Sequence, residues 1–148
     1  MAAMNAAVLI VRLLLGVLLL VAGGLKIGHA PELAASIAGF RLLPAAIVGP
    51  LALALPYFEV LLGVYLVAGL FTRVAAAVAA AQFAIYAGAI ASAIVRHIAA
   101  NCGCFGPGDV SLPDWPHVAL DLALAGGGLF VAWNAPGALA VDRKLGRR

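Results

Sequence analysis

The sequence predicts an all-α integral membrane protein, a four-transmembrane-helix bundle that forms a single domain over residues 1–148. Two features of its composition predict it. Hydrophobic residues make up 66% of the 148 residues and charged residues only 10%. The mean hydropathy is +1.14. A chain with so few polar residues cannot cover the surface of a soluble domain, whereas a bilayer solvates apolar surface. A third observation is that the apolar residues form runs close to the roughly 20 residues that a helix needs to cross.

The lengths of these runs locate the helices. An uncharged run of 22 residues ends before Arg96, and another of 20 begins after Asp121. Two further runs qualify if each accepts one charge, Arg12 in the first and Glu59 in the second. An arginine at a helix centre costs about 2.5 to 3.5 kcal/mol, and the leucines and valines around it offset this at roughly 0.3 to 0.6 kcal/mol each. We therefore predict helices over residues 4–26, 46–70, 73–98 and 116–133, with a loop over residues 99–115.

The segment between the first two spans, residues 31–41, is short and amphipathic. It opens with Pro31, which favours the first turn of a helix. We predict a short amphipathic segment between helices 1 and 2, lying at the membrane surface.

Basic residues predict the orientation. An even number of spans places both chain termini on one side, and five basic residues flank that side against three on the other. The positive-inside rule then puts the termini in the cytoplasm and the cysteine loop outside a bacterial cytoplasmic membrane, where a disulfide persists. Because the basic residues flank the spans, we interpret the net charge of +3 as a sign of contact with the lipid bilayer and not with a nucleic acid. The five are Arg73, Arg143, Lys144, Arg147 and Arg148, and the three are Lys26, Arg41 and Arg96.

The two cysteines of the chain, Cys102 and Cys104, stand on either side of Gly103 in the polar loop. Their spacing falls within reach of a disulfide, and glycine permits the backbone bend that closes the small ring. Such a strained disulfide is readily reduced. We predict that the pair cycles between dithiol and disulfide in a membrane relay, as a component of a thiol-disulfide oxidoreductase.

Charges within the spans predict two ion pairs. Arg12 and Glu59 lie at matching depths, about 12 and 16 Å from the cytoplasmic edge, so we predict that they pair inside the bundle. Asp121 lies roughly 8 Å below the outer edge, where Arg96 or Lys26 could meet it. Thiol exchange needs a thiolate and a place for protons, so Asp121 is the predicted proton handler and Arg96 a cation that favours the thiolate. Packing salt bridges without a chemical role are the alternative for both pairs.

Two other functions stay open. Two thiolates beside His97, with His117 and His29 nearby, could hold a soft metal ion, although a single Cys-x-Cys lacks the second pair of a strong zinc site. A structural disulfide in a scaffold subunit of a membrane redox complex, or of an oligomer packed through small residues, is the other reading. Phosphate-binding and dinucleotide motifs are absent from the sequence, which does not indicate an autonomous soluble enzyme.

Five motifs carry a family resemblance. They are Arg12 with Gly16, Gly23-Gly24-Leu25-Lys26, Phe40-Arg41-Leu42-Leu43-Pro44, Pro56-Tyr57-Phe58-Glu59 and Cys102-Gly103-Cys104-Phe105-Gly106. In this order and spacing they resemble the DoxX-like membrane proteins and, within them, the MauE family of methylamine utilisation.

The resemblance implies a four-helix bundle that serves thiol and disulfide metabolism outside the cytoplasm. It also implies a thioredoxin-fold extracytoplasmic partner, or an exported protein that acquires its disulfides there. Because the DoxX-like group includes members linked to quinones, a quinone is the cofactor that the resemblance suggests. The aromatic residues that could hold it between the helices are Tyr57, Phe58, Phe83 and Tyr86.

Overall fold

The computed structural model describes residues 1–103, 106, 108–109 and 111–146, and every regular element in this part of the chain is helical. Four of these helices, Ala2–Lys26, Ala45–Ala68, Thr72–Val95 and Trp115–Asn134, are long and apolar enough to cross a membrane. The predicted all-helical fold with four spans is confirmed, and each predicted span ends within three residues of an observed one. The helices are α1 (Ala2–Lys26), α2 (Ala30–Gly39), α3 (Ala45–Ala68), α4 (Thr72–Val95), α5 (Trp115–Asn134) and α6 (Val141–Lys144).

Two pairs of long helices form the bundle, α1 against α3 and α4 against α5, and α1 also contacts α5. Glycines bring the first pair close together. A β-carbon added at Gly63 would stand 2.7 Å from the carbonyl oxygen of Gly16, and one at Gly16 would stand 2.7 Å from the side chain of Val67. In the second pair, a β-carbon at Gly128 would meet the backbone of α4 at 2.9 Å. Small residues therefore let the helix backbones approach, as is common in membrane bundles.

A tight turn joins α3 to α4. Gly69 adopts a left-handed conformation with φ of 69° after the last residue of α3. The N–H of Leu70 donates to the carbonyl of Tyr65 at 3.0 Å, and the N–H of Gly69 to that of Leu66 at 3.2 Å. This is the Schellman arrangement, in which a glycine satisfies the last carbonyls of a helix and stops it.

The segment that follows α5 folds back against this turn, which the sequence did not predict. The carboxylate of Asp142 in α6 accepts hydrogen bonds from the backbone N–H groups of Phe71 at 2.9 Å and Thr72 at 2.6 Å. A carboxylate at a helix start satisfies amides that have no partner within the helix. The backbone N–H of Ala138 also donates to the carbonyl of Asn5. We call this end of the bundle the terminal end.

The opposite end, which we call the loop end, carries α2 and the cysteine loop (residues 99–114). Helix α2 confirms the predicted short helix and has Pro31 in its first turn. It packs against α3. The cysteine loop contacts both α2 and α1, because a β-carbon at Gly103 would stand 2.8 Å from the Ser36 hydroxyl and one at Gly106 would stand 2.9 Å from the Leu25 carbonyl oxygen. The loop is therefore fitted closely onto the bundle.

Candidate functional site

A buried carboxylate lies at the centre of the bundle. Glu59 on α3 is 0% exposed, and Lys26, the last residue of α1, is 3% exposed. The ammonium group of Lys26 stands 2.9 and 2.8 Å from the two carboxylate oxygens of Glu59. On α4, Gln82 and Tyr86 donate to the same Oε1 atom at 3.0 and 2.5 Å. We call these four residues the Glu59 cluster; its donors match what an ionised carboxylate accepts.

The predicted pair between Arg12 and Glu59 is wrong. Arg12 is buried, but its Nη1 donates to the carbonyl of Pro136 at 3.2 Å, beside the carboxylate of Asp142. The prediction assumed that the start of α1 and the end of α3 lie at one level of the membrane. Instead, the contact between Gly16 and α3 sets a register in which the first turns of α1 extend beyond the end of α3 and pack against residues 135–142.

Lys26 therefore has a different position from the one that the orientation argument gave it. It was counted as a flanking cation at the membrane edge, and the structure places it inside the bundle. Gly23 allows this, since a β-carbon at this position would stand 2.7 Å from the Pro56 carbonyl oxygen. A long, flexible side chain can then reach along α3 to Glu59.

Cys102 lies at the loop end and is disulfide-bonded. It is 8% exposed, and its neighbours Ala87, Ile90 and Val118 are apolar. Its backbone N–H donates to the carbonyl of Ser111 at 3.0 Å. Cys104, the other predicted site cysteine, lies outside the described residues. Cys102 is thus largely buried at the loop end of the bundle.

Arg96 was one of the two cations predicted to pair with Asp121, and the structure shows that it does not. Its guanidinium donates to the carbonyls of Phe40 and Arg41, just after α2, and its Nε donates to the Ser92 hydroxyl at 3.0 Å. Carbonyls at the end of a helix have no partner within it, so an arginine there both satisfies them and ties the element to a neighbour. Arg96 therefore joins α2 to α4.

Asp121 on α5 is half-buried and makes no ion pair within the described part of the chain. It lies within electrostatic range of His117, and of Lys26, which was its other predicted partner. The three members of this group stand at the loop end. Asp121 as a proton handler stays a prediction.

Two of the three histidines of the chain lie beside an acidic residue three positions away in the sequence. His117 stands 2.6 Å from Asp114, and His29 stands 3.9 Å from Glu32. The backbone and side chain of His117 lower the pKa of Asp114 by hydrogen bonding to it. His97 is exposed on a backbone with φ of 52°. Across the residues with a described position, no three His, Cys, Asp or Glu side chains are grouped to hold a metal ion.

A cavity of about 200 Å³ connects the cysteine loop with the Glu59 cluster. It lies between α3 and α4 at the loop end, and α2 lines one wall. Cys102 borders it at the loop, and Lys26 and Tyr86 border it from the bundle interior. The remaining wall is almost entirely apolar and includes Leu43 and Ile85, which are exposed on the outside of the bundle. The cavity therefore opens toward the surface that faces lipid.

The aromatic residues predicted to hold a cofactor do not act as one group. Tyr57 and Phe58 are exposed on the outer face of α3, and Phe83 is buried in the apolar core. Of the four, only Tyr86 borders the cavity.

Sequence reasoning missed Gln82, although a signal was present. It is the one amide in the alanine-rich α4, and Tyr86 follows it by four residues, the spacing at which two side chains meet on a helix. The Nε2 atom of Gln82 donates to the Tyr86 hydroxyl at 2.9 Å as well as to Glu59. A polar pair at this spacing in a membrane span indicates a buried partner.

The fold and this site define a class of protein: a four-helix integral membrane protein whose disulfide-bonded loop lies over a buried ion pair. The family described as Methylamine utilisation protein MauE matches residues 4–134, and the chain belongs to this family. A protein of Methylophilus methylotrophus named Methylamine utilization protein MauE is 37% identical over 111 residues, 72% of this chain and 57% of that protein. One of the same name from Paracoccus denitrificans is 32% identical over 129 residues, 86% of this chain and 69% of that protein.

The match thus spans little more than half the length of the Methylophilus relative. No solved structure is significantly similar to the chain.

Proposed function

We propose that this protein is the membrane component of an extracytoplasmic thiol-disulfide relay that supports methylamine utilisation. In this relay Cys102 and Cys104 exchange electrons with a thioredoxin-fold partner or with an exported protein that acquires disulfides. The observation that carries the proposal is the position of Cys102, a disulfide-bonded residue set over a buried polar cluster and a cavity. The names of the relatives supply the metabolic context.

The exchange proceeds in two balanced steps. A thiolate of the partner attacks one sulfur of the disulfide, so that the S–S bond breaks, a mixed disulfide forms and the other sulfur leaves as a thiolate. A second thiolate of the partner then attacks its own sulfur in the mixed disulfide. The partner leaves oxidised, and the two protons of its thiols end on Cys102 and Cys104. Asp121 and His117, at the same end of the bundle, are the groups proposed to handle these protons.

The burial of Cys102 supports different roles for the two sulfurs. An attacking thiolate must approach a disulfide sulfur closely, and Cys102 is only 8% exposed among apolar side chains, which disfavours approach by a protein. We therefore assign Cys104 as the sulfur that the partner attacks and Cys102 as the inner sulfur that accepts the electrons.

The test uses each cysteine alone. A thioredoxin that retains one active-site cysteine is activated with thionitrobenzoate, which is released when a thiolate displaces it. We expect the Cys102→Ser variant, which keeps Cys104, to form the mixed disulfide at least about tenfold faster than Cys104→Ser. The release is followed by absorbance, and the adduct is identified by mass spectrometry.

Two controls separate accessibility from intrinsic reactivity. The double variant Cys102→Ser/Cys104→Ser should form no adduct, and denaturation should bring the two single variants to similar rates. Equal rates in the folded protein would contradict the assignment of the sulfurs. A failure of both single variants to react would contradict the relay.

The relay requires the loop end to face away from the cytoplasm. We expect alkaline phosphatase to be active when it is fused after Gly108 in the cysteine loop and inactive when it is fused after Gly146 at the terminal end. The enzyme folds only where its disulfides form. The reverse pattern would place the cysteines on the reducing side and contradict the proposal.

A further inference from the structure

We propose that the cavity between α3 and α4 binds the ring of a lipid-soluble quinone, which receives the electrons of the reduced Cys102 and Cys104. The inference rests on the proposed relay and names its electron acceptor.

The wall of the cavity indicates a ligand that comes from the bilayer. Apart from Lys26 and Tyr86, its inner lining is made mostly of aliphatic side chains, among them Leu51 and Leu55 of α3 and Ile90 of α4. It opens beside Ile85, which is exposed on the outside of α4. Transfer from lipid into such a cavity costs a hydrophobic ligand little, and a tail can remain in the bilayer while a ring enters.

The inner end of the cavity distinguishes a quinone from an acyl chain. An ammonium group has three donor hydrogens, and Lys26 directs hydrogen bonds at the two oxygens of Glu59. Among the described residues only Glu59 accepts hydrogen bonds from Lys26, so a third N–H can serve a ligand, and Lys26 borders the cavity. An acyl chain has no acceptor for that donor, whereas a quinone carbonyl oxygen accepts it. The buried cation also stabilises the negative charge that gathers on this oxygen as electrons arrive.

Cys102 borders the same cavity from the loop end, together with Gly103. The proposed electron donor Cys102, the cation Lys26 and the apolar wall therefore all border the same cavity. Ala87 and Val118 belong to the same buried apolar cluster as Cys102, so the cavity is the proposed route by which a small oxidant reaches this sulfur.

The proposed step balances. The dithiol of Cys102 and Cys104 loses two electrons and two protons, and an S–S bond forms between the two sulfurs. The quinone gains the two electrons and the two protons, so that both of its carbonyl oxygens become hydroxyl groups. Lys26 holds one of these oxygens through a hydrogen bond, and the quinol leaves to the bilayer with its tail.

Filling the cavity tests the proposal. Ala89 borders the cavity on α4, and Ala84 on the same helix faces outward. We expect Ala89→Phe to weaken the binding of decylubiquinone by at least about tenfold and Ala84→Phe to leave it unchanged. Binding is measured by photolabelling with an azidoquinone in competition with decylubiquinone, and the labelled peptides are expected to fall in α3 and α4.

A second pair of variants, on α3, distinguishes the effect of filling the cavity from the effect of misfolding. Leu55→Trp fills the cavity from the other side, and Leu53→Trp, on an exposed position, is its control. Photolabelling that both cavity-filling variants leave unchanged would overturn the proposal. So would labelling that an excess of phospholipid removes and decylubiquinone does not, since that result identifies an acyl-chain site.

Loss of the quinone site can be distinguished from loss of thiol exchange by measuring both activities in the same variants. After reduction, the cavity-filling variants should still release thionitrobenzoate from activated thioredoxin, but they should no longer convert decylubiquinone to quinol. Conversely, Cys102→Ser should still bind the quinone and should not reduce it. Quinol formation by Ala89→Phe at the rate of Ala84→Phe would contradict the quinone site and leave the thiol exchange intact.

Discussion

Replacing Lys26 with methionine is expected to lower the free energy of unfolding by about 3–5 kcal/mol, because the Glu59 carboxylate would then be buried without a cation. Glu59 is 0% exposed and accepts two of its four hydrogen bonds from Lys26. Methionine fills a similar volume, so the loss is that of the charge and its donors and not of packing. The measurement is thermal unfolding of the purified protein in detergent micelles.

A double-mutant cycle separates the ion pair from other effects. Glu59→Gln keeps an acceptor oxygen for Gln82 and Tyr86 and removes the charge, so the variant Lys26→Met/Glu59→Gln should recover most of the lost stability. Lys144→Met, at an exposed position at the terminal end, is the matched control and should change little. Equal effects of Lys26→Met and Lys144→Met would show that the buried pair does not stabilise the fold.

Replacing Gly63 with leucine is expected to destabilise the bundle by more than the about 1–3 kcal/mol of an ordinary overpacked core. A β-carbon at this position would stand 2.7 Å from the Gly16 carbonyl oxygen and 3.0 Å from the Leu20 backbone nitrogen. Backbone atoms cannot move aside as a flexible side chain does, so α1 and α3 would have to separate. The separation would also disturb the contact between Lys26 and Glu59, and thermal unfolding in micelles measures the total loss.

Gly49 provides the control on the same helix. It is exposed, and a β-carbon there would meet nothing within 4 Å. Gly49→Leu should therefore be neutral or slightly stabilising, because leucine favours helix more than glycine does. If Gly63→Leu proved as well tolerated as Gly49→Leu, the close approach of α1 and α3 would be contradicted.

Much of the fold could be predicted from the sequence because it follows from local composition. The length of each apolar run sets the length of a span, and Pro31 indicated the start of α2. The turn at Gly69 also has a signal, because glycine adopts a left-handed conformation without strain, but the predicted span over residues 46–70 ran past it. These features depend on neighbours in the chain, and a sequence displays them directly.

The candidate site was predicted only in part. The sequence indicated that Glu59, inside a span, must find a cation, and the structure supplies one. It is Lys26 and not Arg12, because the glycine contacts of α1 with α3 shift one helix along the other. Depths estimated by counting residues from each membrane edge do not include this shift of one helix along the other. Gln82 and Tyr86 were missed as partners because they come from a third helix.

The sequence by itself determined that this chain crosses a membrane four times, carries charges inside those spans and holds two neighbouring cysteines in a polar loop. Each of these depends on how many apolar residues stand in a row and on which residues interrupt them. Only the tertiary structure decided which charges meet and that Cys102 and the Glu59 cluster border one cavity. The physical reason is that close packing of glycines and other small residues sets the register and spacing of the helices, and register decides contacts between residues far apart in the chain.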